Sequence, residues 1–173
     1  ECWESFAAPF THRPGLLRFV AITTVYESFS FMGAMQFGVY RLVTDLGVTQ
    51  TSFGWHCSAS AVCGLAAIAL VAKLSTTAGV QPTLCGIYGC QSVMLLAIGA
   101  TNSPELSVAA FFVWRCLDRA RWAPYSVWTS LLTGGGANDK TAMFAMQKVM
   151  RAAPSALLNI GVLAPIAQHF GLQ

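Results

Sequence analysis

Charge is what this chain has least of. Only 10% of its 173 residues are Asp, Glu, Lys or Arg, against roughly 25% in an average soluble domain. A soluble domain of this size needs a charged shell, and this sequence cannot supply one. Its net charge is +3 and it contains no basic run, which excludes a nucleic-acid-binding surface. Of its six cysteines, Cys2, Cys57, Cys63, Cys85, Cys90 and Cys116, no two form C-x-x-C. Most lie inside apolar runs rather than in the polar loops that metal and disulfide frameworks use, so small core residues are expected there. The loop TGGGANDK, residues 133–140, has three glycines but no Lys-Ser or Lys-Thr at the spacing of a phosphate-binding loop. No Ser-His-Asp, paired-carboxylate or zinc-spaced constellation is present. Catalysis is not expected.

What the chain has in abundance is apolar sequence: 55% hydrophobic residues and a mean hydropathy of +0.56. Five segments stand out, at about 16–40, 53–72, 82–100, 106–132 and 142–167. A membrane-crossing helix needs about 20 apolar residues; the second and third segments meet this cleanly, and the others carry charges or prolines. The expected fold class is therefore all-α, a polytopic membrane helix bundle of about five transmembrane helices. Residues 1–15 read as an interfacial N-terminal arm with Trp3 at headgroup level, and residues 16–173 as the transmembrane helical bundle. With the N-terminus inside, Arg13, Arg18, Lys73, Lys140, Lys148 and Arg151 fall on the inner side and only Arg41 on the outer, the asymmetry that orients membrane helices. A four-span arrangement divides the fourth segment differently. The start at Glu1 is expected of a processed precursor that has lost a targeting peptide; an incomplete gene model or a trimmed chain gives the same start.

The fourth segment poses the main question. FFVWRCLDRARWAPYSVW, residues 111–128, is apolar on both sides yet carries Arg115, Asp118, Arg119 and Arg121. A charge at the bilayer centre costs about 3 kcal/mol or more on insertion scales. Asp118 is placed to neutralise Arg115 or Arg121 through an i, i+3 contact. One reading puts the group at the membrane surface, with one short helix ending near Leu117, another starting at Trp122, and the arginines at lipid phosphates. Another buries it in a bundle against partner subunits, and a third makes it part of a substrate or proton pathway. All four residues are candidate partner or lipid contacts.

Other polar residues lie inside apolar sequence. Glu27 sits midway through the first segment, and with Gln36 it is an intramembrane polar candidate; a protonated or hydrogen-bonded glutamate beside Tyr26, Ser28 and Ser30 is the plainer alternative. His56 opens the second segment and His169 closes the fifth. Both are candidate haem or chlorophyll ligands, although histidines are ordinary at helix ends. Ser60 and Gly64 form a small-x-x-x-small pair that lets helix backbones approach closely. No cofactor is expected beyond bound lipid, with chlorophyll or haem the alternatives at those histidines.

The order of these features resembles the N-terminal half of a major facilitator superfamily transporter. TDLGVTQTSFGWHCSASAV, residues 44–62, is similar to that family's first outer loop running into its second helix. AKLSTTAGVQ, residues 72–81, keeps Leu74 and Gly79 in the frame of the family's inner loop, but Thr76-Thr77 and Val80-Gln81 replace its charged pairs. Arg115, Leu117 and Ala123 align with the family's fourth-helix motif, in which Arg119 and Arg121 stand where glycines belong. APIAQHFG, residues 164–171, is similar to the end of its fifth helix. A second resemblance, to the Mpv17/PMP22 family of small organellar membrane proteins, rests on LDRARWAP with Pro154, Asn159, Pro165 and Gln168. The first implies a chain that supplies one half of a rocking transporter without the charges that latch it. The expected function is a non-catalytic accessory or structural subunit of a larger membrane complex in an energy-converting organellar membrane, mitochondrial inner or thylakoid, with other subunits and lipids as partners. The alternatives are a half-size solute transporter working as a dimer and a pigment- or haem-binding subunit.

Overall fold

The structure, a computed structural model, describes residues 14–133, 141, 144 and 145. Five α-helices occur in this range: α1 (Pro14–Met32), α2 (Gln50–Thr77), α3 (Val80–Ala100), α4 (Pro104–Ala120) and α5 (Trp122–Thr133). No strand occurs among the described residues, so the chain is all-α there. Two compact units divide the chain, one of residues 30–129 and one of residues 1–29 with 130–173.

Local sequence explains where the helices begin and end. Thr49 caps α2, its hydroxyl accepting from the Ser52 amide at 3.3 Å. Ser103 caps α4 in the same way through Leu106 at 3.4 Å, with Pro104 as first helical residue; proline has no amide to leave unsatisfied there. Glu105 in the first turn of α4 and Arg119 in its last both match the helix dipole. Between α2 and α3 only Ala78 and Gly79 intervene, and Gly79 takes φ +92°, a conformation that glycine alone adopts cheaply. Between α1 and α2 the chain winds into two π-helical stretches, Gly33–Gly38 and Arg41–Asp45. The first segment, expected as one continuous helix over 16–40, thus changes its winding after Met32.

The fourth segment is two helices. Arg121 separates them, and the cause lies three residues on: Pro124 has no amide to donate to the Ala120 carbonyl, and its ring crowds that oxygen. The ladder is otherwise kept, with Arg121 N donating to Leu117 O at 2.9 Å and Tyr125 N to Arg121 O at 3.0 Å.

Within residues 30–129, α4 is the central element. It packs along α2 and along α3, which touch each other far less. Phe53 meets Phe111 with ring centroids 5.2 Å apart, Ser60 meets Cys116, and Gly64 meets Arg119, so α2 and α4 run parallel. One apolar cluster joins Ala34, Leu42, Ile98, Val108, Ala110, Phe111 and Trp114; a second joins Val71, Ile87 and Ala120. Trp114 donates its indole N–H to Ser30 Oγ at 3.1 Å. Replacing it with Phe removes that bond and should cost about 1 kcal/mol, read as a lowered unfolding midpoint. Arg41 donates through Nη2 to Thr101 O at 3.0 Å and Asn102 Oδ1 at 3.2 Å, tying the second π-helical stretch to the α3–α4 turn. Arg41→Met should speed hydrogen exchange at residues 101–103 while leaving that of mid-α3 unchanged.

Two helices, α2 and α3, are long and apolar enough to cross a membrane among the described residues. At 28 and 21 residues they measure about 42 and 32 Å. The 17-residue α4 carries Glu105, Arg115, Asp118 and Arg119. The segment at 142–167 lies outside the described residues, apart from Phe144 and Ala145.

Candidate functional site

Two places in residues 30–129 gather polar chemistry. The first is the charged turn at the end of α4. Arg121 and Asp118 form the i, i+3 pair, with Nε at 3.0 Å and Nη2 at 2.9 Å from Asp118 Oδ1. Arg121 is only 6% exposed, and its guanidinium carbon lies 5.0 Å from the centroid of the Trp122 ring. The pair closes across the α4–α5 junction. Arg115 is half-buried and turns elsewhere, its Nη1 reaching Met35 Sδ at 3.6 Å. Arg119 is exposed, yet its aliphatic stem lies on Gly64 so closely that a Cβ there would stand 2.8 Å from Arg119 Cδ. Arg119 is thus accommodated by a glycine on the facing helix. Ser60 and Gly64, the small pair, are both buried, and the Ser60 carbonyl accepts from Cys116 Sγ at 3.7 Å. Of the four charged candidates, Arg119 is the one with an exposed side chain.

The second is a cleft of about 590 Å³ where the start of α2 meets the start of α4. Thr49, Ser52 and His56 line one wall, and Glu105, Val108, Ala109 and Phe112 the other. The spacing i, i+3, i+7 puts the α2 residues on one helix face, and i, i+3, i+4, i+7 does so for α4. One wall thus carries Thr49, Ser52 and His56 beside Val48, and the other is apolar with a carboxylate at its outer end. Glu105 was not among the residues singled out from sequence. In sequence it reads as an ordinary acid of an outer loop, and only the pairing of α4 with α2 brings it into one cleft with His56.

The remaining candidates are scattered. Glu27 is buried at 2% exposure in α1, and Gln36 is exposed in the first π-helical stretch. His169 lies outside the described residues, as do Cys2 and residues 1–13 of the arm expected over 1–15, whose last two residues, Pro14 and Gly15, open α1. Among the described residues no group of three or more His, Cys, Asp or Glu is placed to hold a metal ion. The five described cysteines are free thiols. Cys63, Cys85 and Cys90 are exposed, so they are not the core residues expected from their apolar surroundings, whereas Cys116 is half-buried and Cys57 packs against the apolar cluster around Phe111. The surroundings of the three exposed thiols face outward. A polar side chain does enter the interior of the bundle at Gln91, on the inner face of α3 and 1% exposed.

No protein-family model, characterised protein or solved structure matches this chain.

Proposed function

We propose that this chain is a non-catalytic, multi-pass accessory subunit of a larger membrane complex, with packing as its mechanism. One observation carries the reading. In the most apolar windows of α2 and α3 only 17% and 28% of residues are buried, whereas the core helix of a soluble protein is mostly covered. Trp55, Val62, Leu65 and Leu70 on α2 and Val93 and Leu96 on α3 all point outward. Apolar surface on this scale calls for lipid or partner helices. The described helices account for two spans, and we assign the remainder of the five-span bundle to the flanking segments. The setting we assign is an energy-converting organellar membrane.

Arg119 is the contact this reading uses most directly, because its stem is fixed on Gly64 and its side chain is exposed. Arg119→Glu should reduce recovery in the native assembly about tenfold, the scale of one charge-assisted contact. Unchanged assembly with unchanged helicity would remove Arg119 from the interface.

A half-size transporter working as a dimer is the second reading, favoured by the buried Glu27 in α1. It requires that Glu27→Gln abolish solute flux in reconstituted vesicles while assembly is kept.

A further inference from the structure

We propose that the cleft between the starts of α2 and α4 binds a phospholipid whose headgroup carries a primary amine. The proposal rests on the membrane reading above and extends it to a specific lipid. The cleft has the size of a small-molecule site, and its mostly apolar lining with a few convergent polar groups is the usual composition of one.

Depth comes first. Trp55 is 73% exposed and immediately precedes His56; exposed tryptophans of membrane helices settle at the headgroup level. Lys73 lies at the opposite end of α2. The cleft therefore opens at the headgroup layer of the face away from Lys73.

Charge comes next. Among the described residues of the lining Glu105 is the only Asp, Glu, Lys or Arg, and no ion pair of Glu105 occurs among the described residues. A cationic group is favoured at this rim and a phosphate-only headgroup is not. Shape completes the fit. Down α4 from Glu105, Ala109 and Phe112 continue an apolar track over about 10 Å, which suits the first part of an acyl chain. The Ser52 hydroxyl and the His56 imidazole on the opposite wall exchange hydrogen bonds with a polar head. An ammonium with three N–H donors uses Glu105 and these groups together; a quaternary ammonium keeps the charge and loses the donors.

The test is native mass spectrometry of the full chain in mild detergent, titrated separately with phosphatidylethanolamine, phosphatidylcholine and phosphatidylglycerol of identical acyl composition. Phosphatidylethanolamine should occupy the chain about fivefold more than phosphatidylglycerol, the scale of one rim ion pair, with phosphatidylcholine between. Glu105→Gln should abolish that ranking with helicity unchanged, and Ala109→Trp, which fills the cleft, should lower binding of all three. Equal occupancy by the three lipids, or a ranking that survives Glu105→Gln, overturns the assignment. If the lipids bind alike while the chain still migrates with partner subunits, this proposal falls and the accessory reading stands. A chain that stays monodisperse in buffer without detergent or lipid removes both.

Discussion

Asp118→Asn should destabilise the chain by about 3 kcal/mol, the scale of removing one partner from a buried ion pair. The guanidinium at stake, that of Arg121, is 6% exposed and takes two contacts of 3.0 Å or less from Asp118 Oδ1. The stacking on the Trp122 ring is kept in this variant and contributes about 1–2 kcal/mol, as for a desolvated cation–π contact. Adding Arg121→Met should recover most of the stability, because an apolar pair of similar volume often substitutes for a buried ion pair at little cost. Denaturant titration of the wild type, the two single variants and the double variant closes the cycle. If Asp118→Asn is as stable as wild type, the pair is not the clamp across the α4–α5 junction.

Gly64→Leu should be the next most damaging change, at about 1–3 kcal/mol for overpacking a close helix contact. Even the single carbon of Gly64→Ala would stand 2.8 Å from Arg119 Cδ and 3.4 Å from its Cβ. Arg119→Ala removes the first of these atoms and keeps the second, so it should rescue Gly64→Ala more fully than Gly64→Leu. The interaction energy of the double-mutant cycle reports the contact directly. Additive effects of the two substitutions would mean that α2 and α4 do not approach through Gly64 and Arg119.

One side of each contact was legible in the sequence: Asp118 as the i, i+3 partner of Arg115 or Arg121, and Gly64 as a close-packing residue whose partner Arg119 was not. Asp118 and Arg121 are three residues apart in an apolar helix, a spacing that leaves them on one face. Ser60 and Gly64 are small residues one turn apart, the mark of close packing. The division of the fourth segment was one of the readings its arginines suggested, with the first helix ending near Leu117 rather than at Ala120; the break that Pro124 imposes was not drawn from the sequence. The π-helical stretches were not: Gly33 and Gly38 look like ordinary small residues, and the wider turn shows only in contacts such as Leu46 N to Arg41 O at 3.0 Å. The cleft was invisible for a different reason. His56 and Glu105 are far apart in the chain and meet because α2 and α4 run parallel, and no local pattern encodes that pairing. Cysteine placement misled because apolar neighbours in a sequence do not say whether the face they share is turned inward or outward.

The account rests on α2 and α3 presenting apolar faces to a membrane and to other subunits. The most direct test is the size of the native particle after mild detergent extraction, with its companions identified by mass spectrometry. The account predicts a large assembly, with redox or ATP-synthesising subunits as constant companions. A particle that holds this chain alone, or as a small dimer, would contradict it, and solute flux through reconstituted vesicles would then decide for the transporter.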